Sequence, residues 1–153
     1  MRTAATKAVY YLGWAGVIPF VAGAVLVWFD EPVNPYFVLQ AFQVYSLMVL
    51  SFLCGTWWGF SFAGLEERLR LVLLLGGITL FVFLWLVMLF VPSTQTLLIL
   101  GLTYGALLLP ELRLRGLPVD RGYRGMRLLL TGIVLLCHLS VYLNVSGIIS
   151  VDY

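Results

Sequence analysis

Apolar residues fill this chain in five long runs, at 8–29, 36–64, 71–91, 94–110 and 128–149, separated by short polar segments. A helix crossing the bilayer core needs about 20 such residues. The fourth run is the shortest. Its strictly apolar part is 97–109, and it gains length by starting near the capping residues Ser93 or Thr94 and continuing through Pro110. The second run exceeds a straight crossing, which predicts either tilt or a first turn (Gln40, Gln43) lying in the headgroup layer. The pattern predicts an all-α integral membrane protein with five transmembrane helices, organised as a single transmembrane domain over residues 1–153.

The breaks between runs carry helix-ending chemistry. Asp30-Glu-Pro-Val-Asn-Pro35 has two prolines and an asparagine, which end one helix and start the next. Leu65–Arg70 closes a second hairpin, Pro92–Thr96 makes a short uncharged turn, and Glu111–Met126 reads as an arginine- and glycine-rich loop. Pro19 lies inside the first run and frees the carbonyl of Ala15, so a kink is expected there. That run is also longer than the core of a signal peptide, about 7–15 residues, and reads as an uncleaved anchor.

Small residues suggest how the helices meet. Ser51, Gly55, Gly59 and Ala63 recur at every fourth position between bulky aromatics, giving a stripe that lets a second helix approach closely. This stripe is expected to be the central seam of the bundle. Gly13, Gly16, Gly23 and Ala24 offer a counter-surface on the first helix, and Gly101 with Gly105 a second small pair.

Charge adds an orientation. With five spans, Arg2, Lys7, Arg68, Arg70, Arg113, Arg115, Arg121, Arg124 and Arg127 all fall on one side, and Asp30, Glu31 and Asp152 on the other. The positive-inside rule then puts the N-terminus in the cytoplasm and the C-terminus outside. Trp28 and Tyr36 fall at the outer boundary, and Tyr10, Tyr11 and Tyr123 at the inner one, as interfacial belts require. Trp14, Trp57 and Trp58 lie deeper, as space-filling residues or a ligand-stacking cluster.

Composition excludes a soluble domain: 62% of the 153 residues are hydrophobic and only 10% charged, against about 25% charged in soluble proteins. No nucleic-acid partner is expected. Cys54 and Cys137 sit inside apolar runs, where thiols are inert, so neither a disulfide nor a metal site is indicated.

Three ordered segments carry a resemblance: Leu12-Gly-Trp-Ala-Gly-Val-Ile-Pro-Phe20, Ser51-Phe-Leu-Cys-Gly-Thr-Trp-Trp-Gly59 and Tyr123-Arg-Gly-Met-Arg-Leu-Leu-Leu-Thr131. The chain resembles the bacterial family catalogued as domain of unknown function 3429, which also includes a small mitochondrial inner-membrane protein of animals. The resemblance covers nearly the whole chain and implies a five-helix membrane protein, without an established activity. In that family the second motif has paired glycines and then a basic or histidine residue before Trp-Gly. Here Cys54-Gly55 and Trp57 stand at those positions, so a shared intramembrane site using that residue would be lost or relocated.

An ionisable residue inside a span is a functional candidate by default. His138 is the only one well within a span, and Thr131 and Tyr142 share its helix face. Such a histidine can ligate haem, touch a quinone headgroup or relay a proton, or simply hydrogen-bond to a neighbouring helix. The chain has one histidine, so bis-histidine haem ligation within a protomer is excluded. Arg113, Arg115, Arg121, Arg124 and Arg127 can bind anionic headgroups or an acidic partner, or merely enforce topology. Asn144, Gln40, Gln43, Thr56 and Thr79 read as interhelical hydrogen-bonding groups.

No nucleophile, carboxylate cluster or metal-ligand set marks an enzyme, and no cofactor is expected. The leading expectation is a non-enzymatic accessory or assembly subunit, packing in a larger complex or with its own copies in the bacterial inner membrane. The alternative is a binder or carrier of quinone, tetrapyrrole or lipid within the bundle.

Overall fold

The computed structural model describes residues 4–29, 34–62, 65–113 and 121–151. Among them the chain forms helices α1 (Ala4–Ala15), α2 (Ile18–Leu26), α3 (Pro35–Ser61), α4 (Glu67–Phe90), α5 (Ser93–Arg113) and α6 (Arg121–Val151), with no strand. Five stretches are long and apolar enough to cross a membrane: Lys7–Leu26 (α1 with α2), Pro35–Ser61, Glu67–Phe90, Ser93–Pro110 and Gly122–Gly147. The all-helical, five-span architecture matches the hydrophobic pattern.

Local chemistry explains the boundaries. The first span breaks at Gly16-Val17, three residues before Phe20 joins the core, because Pro19 supplies no N–H to continue the ladder. The Gly16 carbonyl receives the Tyr45 hydroxyl of α3 instead, at 2.9 Å. Asn34 caps α3: its side chain accepts from the Tyr36 N–H at 2.9 Å, and Pro35 takes the first helical position. α5 does run through Pro110 to Arg113. At its start the hydroxyl that turns back is that of Thr96, donating to the carbonyls of Val91 and Pro92. One boundary differs from expectation. The segment read as a loop to Met126 is already helical from Arg121, since arginine, tyrosine and methionine extend a helix and the glycines only weaken it.

Four helices make a ring. α2 packs on α3 and α6, α3 packs on α5, and α5 packs on α6. Phe20, Leu50, Tyr104 and Val141 fill its middle and are almost fully buried. α1 lies on α6, and α4 lies on the other side of α3 with a smaller contact to α5.

The expected seam is not where these helices close. α3 turns Leu39, Phe42, Ser46, Leu50, Leu53 and Cys54 inward, on roughly the opposite side of the helix from the Ser51 stripe. Among the described residues, a methyl group at Gly55 or Gly59 would meet no atom within 4 Å. Ser51 is half-buried and its hydroxyl returns to the Leu47 carbonyl. Ala63 lies outside the described residues, as does most of the Asp30–Pro35 turn. The break at Gly16 explains the difference: before it α1 is directed onto α6, where a Cβ at Gly13 would lie 3.1 Å from Leu130 and 3.4 Å from Met126. A Cβ at Gly16 would meet only the Leu12 and Gly13 carbonyls of its own helix, and among the described residues one at Gly105 would meet nothing within 4 Å.

Close approach falls on other glycines. A Cβ at Gly77 would lie 2.9 Å from the Cys54 carbonyl oxygen, one at Gly23 2.8 Å from the Phe42 ring, and one at Gly101 3.4 Å from His138 Cβ. The first of these is a backbone contact between α4 and α3 that cannot rotate away. Gly77→Ala is therefore expected to cost about 1–3 kcal/mol, read as a lowered midpoint in reversible detergent unfolding. Gly55→Ala should be neutral or slightly stabilising, and equal losses from both would contradict this packing.

Candidate functional site

The residues that converge at the centre of the ring come from all four of its helices: Phe20 from α2, Phe42, Tyr45 and Ser46 from α3, Tyr104 from α5 and His138 from α6. Each arrives there for a local reason. The Pro19 break turns Phe20 inward; Phe42 and Ser46 sit one turn apart on the inner face of α3. Gly101 brings α5 against His138 closely enough for Tyr104, on the next turn, to cross to α3.

His138 is 4% exposed. Its Nδ1 lies 2.9 Å from the carbonyl oxygen of Val134 and its Nε2 lies 2.9 Å from Ser46 Oγ. A carbonyl can only accept, so Nδ1 carries the hydrogen and Nε2 accepts from the serine hydroxyl. The Ser46 carbonyl in turn accepts the Tyr104 hydroxyl at 3.0 Å. The rings of Phe42, Tyr104 and Phe20 stand 4.9, 5.5 and 5.7 Å from the imidazole, centre to centre. The arrangement holds a neutral imidazole with both nitrogens engaged among aromatic faces. To ligate a metal or meet a quinone oxygen, Nε2 must first give up Ser46. Among the described residues no group of three or more histidine, cysteine or acidic side chains comes together.

The other expected site residues are placed differently. Thr131 is buried at 2% on α6, two turns from His138, and its Oγ1 has no hydrogen-bond partner among the described residues. Tyr142 is half-buried at the margin of the core. Neither is a hydrogen-bond partner of His138; Ser46 and Val134 are. Trp57 lies over Gly76, where an added Cβ would be 3.7 Å from its ring, while Trp14 and Trp58 are about half exposed. Of the proposed polar links, Gln43 does join helices, donating to the Ser93 carbonyl at 2.6 Å, whereas Thr56 bonds back to Leu53 of its own helix. Arg124 and Arg127 are half-buried in the first two turns of α6. Arg113 ends α5 and Arg121 begins α6; Arg115 lies outside the described residues.

Residues 5–143 match the model of a family described as a protein of unknown function, DUF3429. The chain is a member of the DUF3429 family. No curated protein and no solved structure matches it. In this DUF3429 member the residues that organise the centre, Ser46 and Tyr104, fall outside the three motifs that carried the resemblance, as does His138 itself. Ser46 and Tyr104 had a signal available in the sequence: a polar side chain within an apolar span faces the bundle interior. Gln43 and Ser46 mark the inner face of α3 by that rule.

The hydrogen-bond pattern fixes a tautomer that can be measured. Imidazole ¹⁵N spectra of His138 should show a protonated Nδ1 and an unprotonated Nε2, and Ser46→Ala should move the Nε2 resonance. An Nε2-protonated ring would contradict the assignment.

Proposed function

We propose that this protein is a non-enzymatic membrane subunit that acts through helix–helix packing, as an accessory or assembly component of a larger inner-membrane complex. The observation that carries this reading is the outward-turned stripe of α3. Among the described residues Gly55 and Gly59 are not consumed by the chain's own packing, and they leave room for the backbone of another helix. In lipid, where apolar side chains gain nothing by leaving the acyl chains for one another, such close backbone approach is what binds helices.

The centre of the ring speaks against the alternative of a quinone, tetrapyrrole or lipid held inside the bundle. The space around His138 is taken by Phe20, Phe42 and Tyr104, and both ring nitrogens are engaged. The basic residues support an N-terminus on the cytoplasmic side, with the Arg113–Arg127 region available to anionic headgroups or to acidic groups of a partner.

Native gels of membranes solubilised in mild detergent test the reading. The protein is expected to migrate with a larger assembly, and Gly55→Leu or Gly59→Leu to release it without changing its own helix content. Migration as a lone monomer at every detergent strength, or a chromophore that co-purifies with the monomer, would overturn it.

A further inference from the structure

Among the described residues, the buried serine and threonine hydroxyls have hydrogen-bond partners with one exception. Ser46 meets His138, and Ser61, Thr96 and Thr103 turn back to the carbonyls of Trp58, Pro92 and Ile99. Thr131 is the exception: it is 2% exposed, and its Oγ1 has no partner. A threonine within a helix ordinarily satisfies its hydroxyl at the carbonyl one turn back. A buried hydroxyl left without any bond forfeits the hydration it had in water.

The hydroxyl belongs to the flank of α6 that faces α5. Thr131 falls within about 20° of His138 round the helix, and His138 is the residue that Gly101 of α5 packs against. The two helices run antiparallel, so Gly105, one turn beyond Gly101, comes opposite the part of α6 between His138 and Thr131. Among the described residues a Cβ at Gly105 would meet no atom within 4 Å, a distance that admits an oxygen bonded at about 2.8 Å. A glycine at this position also puts no side chain over the Gly101 carbonyl, and a helical carbonyl keeps a second lone pair. Thr131 lies about 14 Å along α6 from Gly122, where the span begins, and at this depth and burial no lipid headgroup reaches it.

We propose that Thr131 holds a buried water molecule that bridges α6 to α5. The Thr131 hydroxyl donates to the water oxygen, and the water donates to the Gly101 carbonyl beside Gly105. Waters enclosed in proteins take up polar groups that the chain leaves unbonded, and such a bridge is nearly as favourable as a direct hydrogen bond. It ties α5 to α6 nearer the start of α6 than the Ser46–His138 bond, and it is independent of the α3 stripe.

The test uses the full-length protein in phosphatidylcholine vesicles and water-edited solid-state NMR, which detects polarisation passed from water to neighbouring protein protons. The Thr131 side chain is expected to receive it, while Thr103, whose hydroxyl is bonded to Ile99, serves as the dry reference. Gly105→Leu should abolish the Thr131 signal by occupying the space. In reversible detergent unfolding, Thr131→Val should lower the folded-to-unfolded ratio about fivefold, the weight of one net hydrogen bond. A wild-type Thr131 signal no stronger than that of Thr103 would overturn the site, as would a signal that survives Gly105→Leu. A Thr131→Val protein as stable as the wild type, or more stable, would show that the hydroxyl is bonded to nothing and overturn it as well.

Discussion

The hydrogen bond from Ser46 to His138 ties α3 to α6 across the middle of the ring, and two more polar links adjoin it. Tyr104 brings α5 to the Ser46 carbonyl, and Tyr45, the neighbour of Ser46, holds the Gly16 carbonyl where α2 begins. Further links lie away from the centre, Gln43 to the Ser93 carbonyl and Trp28 to the Ser140 hydroxyl. In water a core this apolar would close by expelling solvent. In lipid that force is missing between helices, and fit together with interhelical hydrogen bonds must supply the difference. A few polar groups per helix therefore decide which face of each turns inward, although leucine and phenylalanine occupy all faces.

Glycine does two kinds of work in this fold. At positions 23, 77 and 101 its lack of a side chain is used up by the chain itself, against Phe42, the Cys54 carbonyl and His138. At positions 55, 59, 125 and 132 the same property leaves hollows on the outside of α3 and α6. The outside of a small membrane protein with little mass beyond the bilayer is where its contacts with the surroundings are made. These hollows are features of this DUF3429 member that its internal packing, among the described residues, does not explain.

Much of the architecture was legible because span length, turn prolines and caps act locally. Pro19 breaks the first span, Asn34-Pro35 starts α3, and Pro110 is tolerated near the end of α5, each by rules that need no knowledge of neighbours. The inward face of α3 was not legible from small residues. Ser51, Gly55 and Gly59 form a regular stripe, but regularity marks a surface capable of close packing, not the partner that uses it. Which helix arrives there depended on the turn of α1 onto α6 at Gly16, a tertiary event. His138 was visible as a lone ionisable residue. Its face-mates Thr131 and Tyr142 can be read from helical spacing, but which group of a neighbouring helix meets its ring cannot. Its partner across the ring, Ser46, lies 92 residues away. The start of α6 at Arg121 was hidden by glycines that in soluble chains signal a loop.

A double-mutant cycle between Ser46→Ala and His138→Phe, read by reversible unfolding in detergent, addresses the link on which this arrangement depends. A coupling energy of about 1 kcal/mol is expected for a hydrogen bond between membrane helices. Additive losses, with no coupling between the two positions, would mean that α3 and α6 are not joined at the centre of the ring.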